Sequence, residues 1–156
     1  MKSYHYAGIG SRKTPPEILQ LMARVARYLR AEGYTLRTGG AEGADQAFMS
    51  GAGTYHCYLS SVATPESMAL AATYHPAWHK CDEFARRCHG RNAMIVLGSD
   101  LKAPVDFVIC WTPDGKAVGG TAMGIHIAQA KKILVFNLAL KEERLRIEKK
   151  LEKAKF

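Results

Sequence analysis

Residues 8–13 read Gly8-Ile9-Gly10-Ser11-Arg12-Lys13 and join an apolar run to the start of a helix. Glycines at the mouth of a strand-to-helix turn let the backbone approach a ligand, and the first N–H groups of the helix face an anion. Arg12 and Lys13 add positive charge at the same mouth. Two more turns share this chemistry. Thr38-Gly39-Gly40-Ala41 runs into Gly43, Ala44 and Asp45, and the apolar run Val105 to Trp111 leads on to Gly119-Gly120-Thr121. Each signal alone is weak. Gly39-Gly40 by itself can be a tight turn, the first turn lacks the third glycine of a dinucleotide fingerprint, and there is no GxxxxGK[ST] phosphate loop. Their agreement points to a polar, phosphate-accepting cleft.

Two acids lie near these turns. Asp45 either bonds a ribose hydroxyl or caps the helix after Gly43, whereas Asp106 starts its strand and belongs to the opposite edge. Asp114-Gly115 after Thr112-Pro113 reads as a turn, in a loop able to cover a ligand. His75, His79, Cys81, Cys88 and His89 crowd into fifteen residues, but no CxxC pair or other close pair of ligands occurs among them. Neither a metal site nor a cofactor is expected.

The elements that must position the turns alternate along the chain. Tyr4–Gly10 reads as a buried strand. Thr14-Pro15-Pro16-Glu17 predicts an N-cap, a proline in the first turn and a capping-box glutamate. Ile18, Leu21, Met22, Val25 and Leu29 then recur at helical spacing, and Gly33 closes that helix. Strands are expected over 34–40 and 55–60, with a short helix between them. Helices follow over 65–74 and from Pro76 through to about residue 99. The run Val105–Trp111 is continuously apolar, as in a strand buried on both faces. A helix over 121–132 and a strand over 133–138 follow. This β-α-β-α-β-α-α-β-α-β-α order predicts a Rossmann-like α/β fold: one doubly wound, mostly parallel sheet in a single domain, with helices on both faces. Ligands of such sheets sit beyond the carboxyl ends of the strands, where the three glycine turns fall. Residues 139–156 stand apart as a charged helix with a thin stripe of Leu140, Ile147 and Leu151, able to pack on the domain at 1–138, mediate a dimer or fray.

Composition narrows the function classes. The 156 residues are 47% hydrophobic and 23% charged, the balance of an ordinary globular protein, and no apolar run approaches the roughly 20 residues of a membrane span. The beginning of the chain runs straight into a strand without a signal-peptide pattern, so a cytoplasmic location is expected. In that compartment Cys57, Cys81, Cys88 and Cys110 are expected to stay reduced. The net charge of +8 favours phosphorylated ligands or polyanions.

Several segments together resemble a known group. Gly8 to Arg12, Leu36 to Phe48, the stretch His89-Gly90-Arg91-Asn92 through Trp111, and Val118 to Ala128 look like the SLOG superfamily of Rossmann-like domains. That superfamily includes the DNA-processing protein A domain and the lonely-guy phosphoribohydrolases. The likeness covers residues 4–138 and is greatest to small phage and bacterial proteins related to DNA-processing protein A. The latter family implies a basic groove for single-stranded DNA, with Arg12, Lys13 and Arg37 on phosphates and Tyr6, Tyr34 or Trp111 as stacking rings. The companion domains often found there do not fit into this length.

The phosphoribohydrolases imply a different use of the same fold. Arg91 matches their arginine and Gly119-Gly120-Thr121 their glycines, but the glutamate they carry next has no counterpart in Ala122 to Ala128. Cleavage of an N-glycosidic bond by the usual residues is therefore not expected, while holding a phosphoribosyl group is. Arg91 is either a phosphate clamp or a helix-surface arginine, and Asn92 reads a base or supports the loop. Relatives carry a longer loop after Gly53 than this chain has, which implies a more open cleft.

The first reading is accordingly a protein that binds a nucleotide or nucleotide-sugar, as a sensor or sequestering protein. Its site comprises Gly8, Gly10, Ser11 and Arg12; Gly39, Gly40, Ala41 and Asp45; Arg91 and Asn92; and Gly119, Gly120 and Thr121. The alternatives are a single-stranded DNA-binding recombination mediator, or an N-glycosidic hydrolase with Asp45 as its acid. A homodimer is the expected assembly.

Overall fold

In the computed structural model, which describes residues 3–156, strands rich in aromatic and β-branched residues form one all-parallel sheet of five. These are β1 (Tyr4–Gly8), β2 (Tyr34–Thr38), β3 (Tyr55–Cys57), β4 (Phe107–Cys110) and β5 (Leu134–Asn137), ordered β3-β2-β1-β4-β5. Ala7 of the central strand is opposite Arg37 on one side and Val108 on the other. Strand residues alternate between two apolar layers, following the two-residue period of the pleat. Tyr6, Leu36 and Ile109 pack under α1 (Pro16–Ala31), α2 (Ala44–Ala52) and α6 (Lys141–Lys153). Ala7, Val108 and Cys110 pack under α3 (Pro65–Tyr74), α4 (Glu83–Leu97) and α5 (Ala122–Ala130). The expected doubly wound, Rossmann-like architecture is present. No described helix is long and apolar enough to cross a membrane.

The chain winds outward from β1 through β2 to β3, then crosses back to lay β4 on the other side of β1. Loops leaving the carboxyl ends of β1 and β4 therefore diverge, one toward each face, and open a crevice between them. α1 buries the predicted stripe Ile18, Leu21, Met22, Val25 and Leu29, and Gly33 follows it at φ +89°. The terminal helix α6 lies against this layer. Leu151 is buried, Ile147 is half-buried beside it, and Arg24 Nε donates to the Phe156 carbonyl at 2.7 Å.

Three local expectations are corrected. Thr14 does not cap α1. Its hydroxyl donates to the Ser11 carbonyl at 2.6 Å, closing the turn before the helix, and the N-cap position falls to Pro15, which has no side chain to offer. The helix expected from Pro76 begins only at Glu83, because Asp82 is the stronger cap and its Oδ1 accepts the Ala85 N–H at 2.8 Å. Residues 76–82 instead fold as a connection with one 3₁₀ turn, Trp78–Lys80. The third strand ends at Cys57, since beyond its bond to Thr38 at Tyr58 the chain turns away into a short 3₁₀ helix at Ser60–Val62.

Candidate functional site

The crevice between β1 and β4 is a cleft of about 480 Å³. The turn after β1 contributes Gly10, Ser11, Arg12 and Lys13, and the turn after β2 contributes Ala41 and Asp45. Arg91 and Asn92 enter from the middle of α4, and Gly119, Gly120 and Thr121 come from the loop before α5. Ten of the thirteen residues expected from the sequence thus border one space. Gly8, Gly39 and Gly40 do not.

Packing accounts for those three glycines. A Cβ on Gly8 would stand 2.6 Å from Phe48 Cγ, inside the core. At Gly39 it would lie 2.8 Å from Arg91 Nη1 and 3.0 Å from Asp45 Oδ2, so a side chain there would displace both. Gly40 has φ +76°, a conformation L side chains avoid. Gly10, by contrast, is a cleft residue and a packing residue at once: its Cβ would meet that of Ala44 at 2.6 Å.

Each turn is braced from below. Ser11 N–H donates to the Trp111 carbonyl at 3.1 Å and so ties the first turn to the end of β4. The second turn is held by Asp45, whose Oδ2 accepts the N–H groups of Gly39 (3.1 Å) and Ala41 (3.2 Å). Asp45 therefore caps no helix: the N-cap of α2 is Gly43, and the carboxylate reaches back to the turn. This carboxylate sits where an anion bound to those two N–H groups would sit. The turn has its own internal anion, and the anion-accepting capacity expected of it is already used.

Asp45 is 5% exposed, and its other oxygen, Oδ1, has no hydrogen-bond partner. The neighbouring Thr38 hydroxyl has its proton committed to the Gly8 carbonyl at 2.7 Å. Burial pushes the Asp45 carboxyl up to about 6, opposed by the Ala41 N–H, the Arg91 charge and the Gly39 N–H. Asp45 borders the cleft, and its shielded Oδ1 keeps an acceptor position that no protein donor uses.

α4 supplies two struts from adjacent residues. Arg91 Nη1 donates to the carbonyls of Gly39 (3.0 Å) and Tyr58 (3.1 Å), and Asn92 Nδ2 donates to the Gly120 carbonyl (3.1 Å). Arg91 is thus neither a free clamp nor a mere surface cation. It fastens the second turn and borders the cleft, with its Nε buried and without a hydrogen-bond partner. Farther along, Asn137 Nδ2 donates to Thr112 Oγ1 at 2.7 Å, anchoring the loop that leads to Gly119.

Other expectations on single residues are corrected. Arg37 is 5% exposed and donates from Nη1 to the Ala103 carbonyl at 2.6 Å, so it braces a loop and cannot meet a phosphate. Tyr6 is buried, stacked on Phe107 at 5.8 Å between ring centroids, and Tyr34 belongs to the same aromatic group. Trp111 packs at the α1 face rather than in the cleft. Asp106 accepts the His5 N–H at 3.2 Å at the amino end of the sheet, on the opposite edge as expected.

Sequence reasoning misses Cys88, His89 and Ile95, which also line the cleft. A usable signal exists. Cys88, Arg91, Asn92 and Ile95 fall at i, i+3, i+4 and i+7, one face of α4. Arg91 and Asn92 in the cleft therefore imply the other two. His89 has its pKa lowered by burial, then by His75 and Arg91 nearby.

No family model matches the chain, and no curated protein sequence does. Its fold is similar to that of DNA processing protein A from Helicobacter pylori, a structure that describes how that protein binds single-stranded DNA. The TM-score is 0.60 at 20% identity, over 87% of this chain and 65% of that one. The present chain thus spans less than two thirds of that protein, and at this identity the likeness is one of fold.

Proposed function

We propose that the cleft binds a nucleotide or nucleotide-derived ligand of the phosphoribosyl type. In this reading the phosphate lies against the first turn, at Ser11, Arg12 and Lys13, and against Gly119 to Thr121. The second turn takes no phosphate because Asp45 fills it, and the Asp45 carboxyl, which borders the cleft, meets a sugar hydroxyl instead. The observation that carries the reading is that a cation-flanked glycine turn, another glycine turn at Gly119 to Thr121 and the unpartnered carboxyl oxygen of Asp45 border one cleft. The volume of about 480 Å³ lies within the roughly 300–1,000 Å³ of small-ligand sites. The protein then acts as a sensor or sequestering protein for that ligand, as a homodimer to which α6 contributes.

A second reading, binding of single-stranded DNA, is favoured by the net charge of +8 and the fold likeness to a DNA-binding protein. Among the described cleft residues, however, the ring of His89 is the one aromatic surface, and phenylalanine, tyrosine and tryptophan are missing from the lining. Sequence-tolerant strand binding leans on such rings, each stacked base contributing about 1–3 kcal/mol.

A thermal-shift comparison of nucleoside mono-, di- and cyclic phosphates, ADP-ribose-type ligands and a short oligothymidine separates the two. A ligand at 100 times its dissociation constant adds about 2.7 kcal/mol, about 5–10 °C for a chain this size. Stabilisation by one mononucleotide-class ligand with a shallow salt dependence supports the first reading. Stabilisation by the oligonucleotide alone, lost steeply with salt, replaces it with the second.

A further inference from the structure

Behind the cleft wall, the connection from α3 to α4 brings together three residues that the sequence spacing alone does not single out as ligands. His75 caps the end of α3, Cys81 precedes the Asp82 cap of α4, and His89 lies two turns into α4. One ligand atom from each falls within 4.8 Å of the others. His75 Nε2 stands 3.6 Å from Cys81 Sγ, and the rings of His75 and His89 are 4.7 Å apart. An imidazole nitrogen and a thiolate sulfur on one tetrahedral Zn²⁺ stand about 3.6 Å apart, given bonds of about 2.05 and 2.3 Å. A second feature is independent of these distances. His89 Nδ1 is buried and has no hydrogen-bond partner.

We propose that His75, Cys81 and His89 form a divalent-metal site of the zinc class, separate from the phosphate contacts of the cleft. Two imidazoles and a thiolate are the mixed nitrogen and sulfur set that this borderline-soft ion takes. The fourth position is left to water or an anion. Binding requires two proton movements. The Cys81 thiol, which now donates to the Ala77 carbonyl at 3.8 Å, loses its proton to solvent. His75 accepts the Ala77 N–H on Nδ1 at 3.0 Å, so its own proton is on Nε2; this proton shifts to Nδ1 when Nε2 takes the metal, and the Ala77 N–H turns away. One backbone hydrogen bond is exchanged for a metal bond. Nearby cations limit the affinity. Arg86 lies over the Trp78 ring at 5.4 Å, and the Arg91 charge reaches His89. The bound ion would clip the 76–82 connection onto α4, whose next residues, Arg91 and Asn92, hold the two turns.

The test uses the untagged full chain, stripped with a chelator and titrated with Zn²⁺ against a chromogenic indicator, then with Co²⁺ followed by its absorption spectrum. About one equivalent should bind. Cobalt should show a thiolate charge-transfer band with the strong visible bands of a tetrahedral site. Cys81→Ser and His89→Gln should each weaken Zn²⁺ binding by more than about ten-fold, the least expected when even an outer partner of a ligand can cost that much. His79→Ala, a neighbouring exposed histidine, should leave it unchanged. The Ala77 amide resonance should move on metal addition to the wild type. Binding that survives Cys81→Ser, or a cobalt spectrum without thiolate character, overturns the proposal. Should a variant fail to fold, the wild-type cobalt spectrum and the Ala77 shift still decide.

Discussion

Replacing Asp45 with asparagine should change how stability depends on pH. The native carboxyl titrates near 6, against 3.8 for the ordinary group, and burial is the largest cause. Between these values the folded protein binds more protons than the unfolded chain, so stability falls as pH rises through the window. Asp45 thus stabilises most below about pH 3.8 and loses that contribution above about pH 6. Moving the carboxyl from 3.8 to about 6 corresponds to about 3 kcal/mol. The amide introduced by Asp45→Asn would keep an acceptor for the Gly39 and Ala41 N–H groups without a charge to desolvate. Urea unfolding of both proteins at about pH 4 and about pH 7.5 isolates this residue, because other titrating groups cancel in the difference. The variant should gain up to about 3 kcal/mol on wild type between the two pH values. An unchanged difference would mean that Asp45 ionises normally and that the second turn is not built around a desolvated anion. A ligand hydroxyl donating to the Asp45 carboxylate stabilises the ionised form, so affinity should also strengthen as pH rises through 6.

Other substitutions test other joints of the site. Arg12→Ala and Lys13→Ala, both exposed, should leave the melting temperature unchanged while weakening ligand binding; for an oligonucleotide each should reduce the salt slope by about 0.7. Arg91→Lys removes the bond shared between the Gly39 and Tyr58 carbonyls, which a lysine ammonium cannot reproduce from the same planar geometry, and should cost about 1–3 kcal/mol by urea unfolding. Leu151→Ala should cost about 2–5 kcal/mol, since Leu151, on the inner face of α6, is 1% exposed. A cost below about 0.5 kcal/mol would show α6 to be only loosely attached.

Much of the fold is legible in residues 4–138 because the apolar periods are clean there. Phe107 to Cys110 can only be a strand buried on both faces, and Ile18 to Leu29 only an amphipathic helix. The two helix starts escape the sequence for one reason. A proline marks where a helix is permitted, but the hydrogen bonds of Thr14 and Asp82 decide where it begins. In the site, the glycine turns are legible because strand ends carry them to a common edge. The occupation of the second turn by Asp45 is not, since Asp45 follows Gly39 by six residues and nothing in its spacing distinguishes reaching back from capping forward. Nor is the meeting of His75, Cys81 and His89, which exists only because the 76–82 connection doubles back on α4 instead of extending it.

The proposed ligand sets its phosphate on the first and third glycine turns and its sugar on Asp45. An amide-resolved NMR titration with a nucleoside monophosphate tests this placement most directly. Saturable shifts are expected at Gly10 to Lys13 and at Gly119 to Thr121, with smaller ones at Gly39 and Ala41, whose N–H groups Asp45 already holds. Shifts confined to other surfaces, or saturation only with an oligonucleotide, would contradict it.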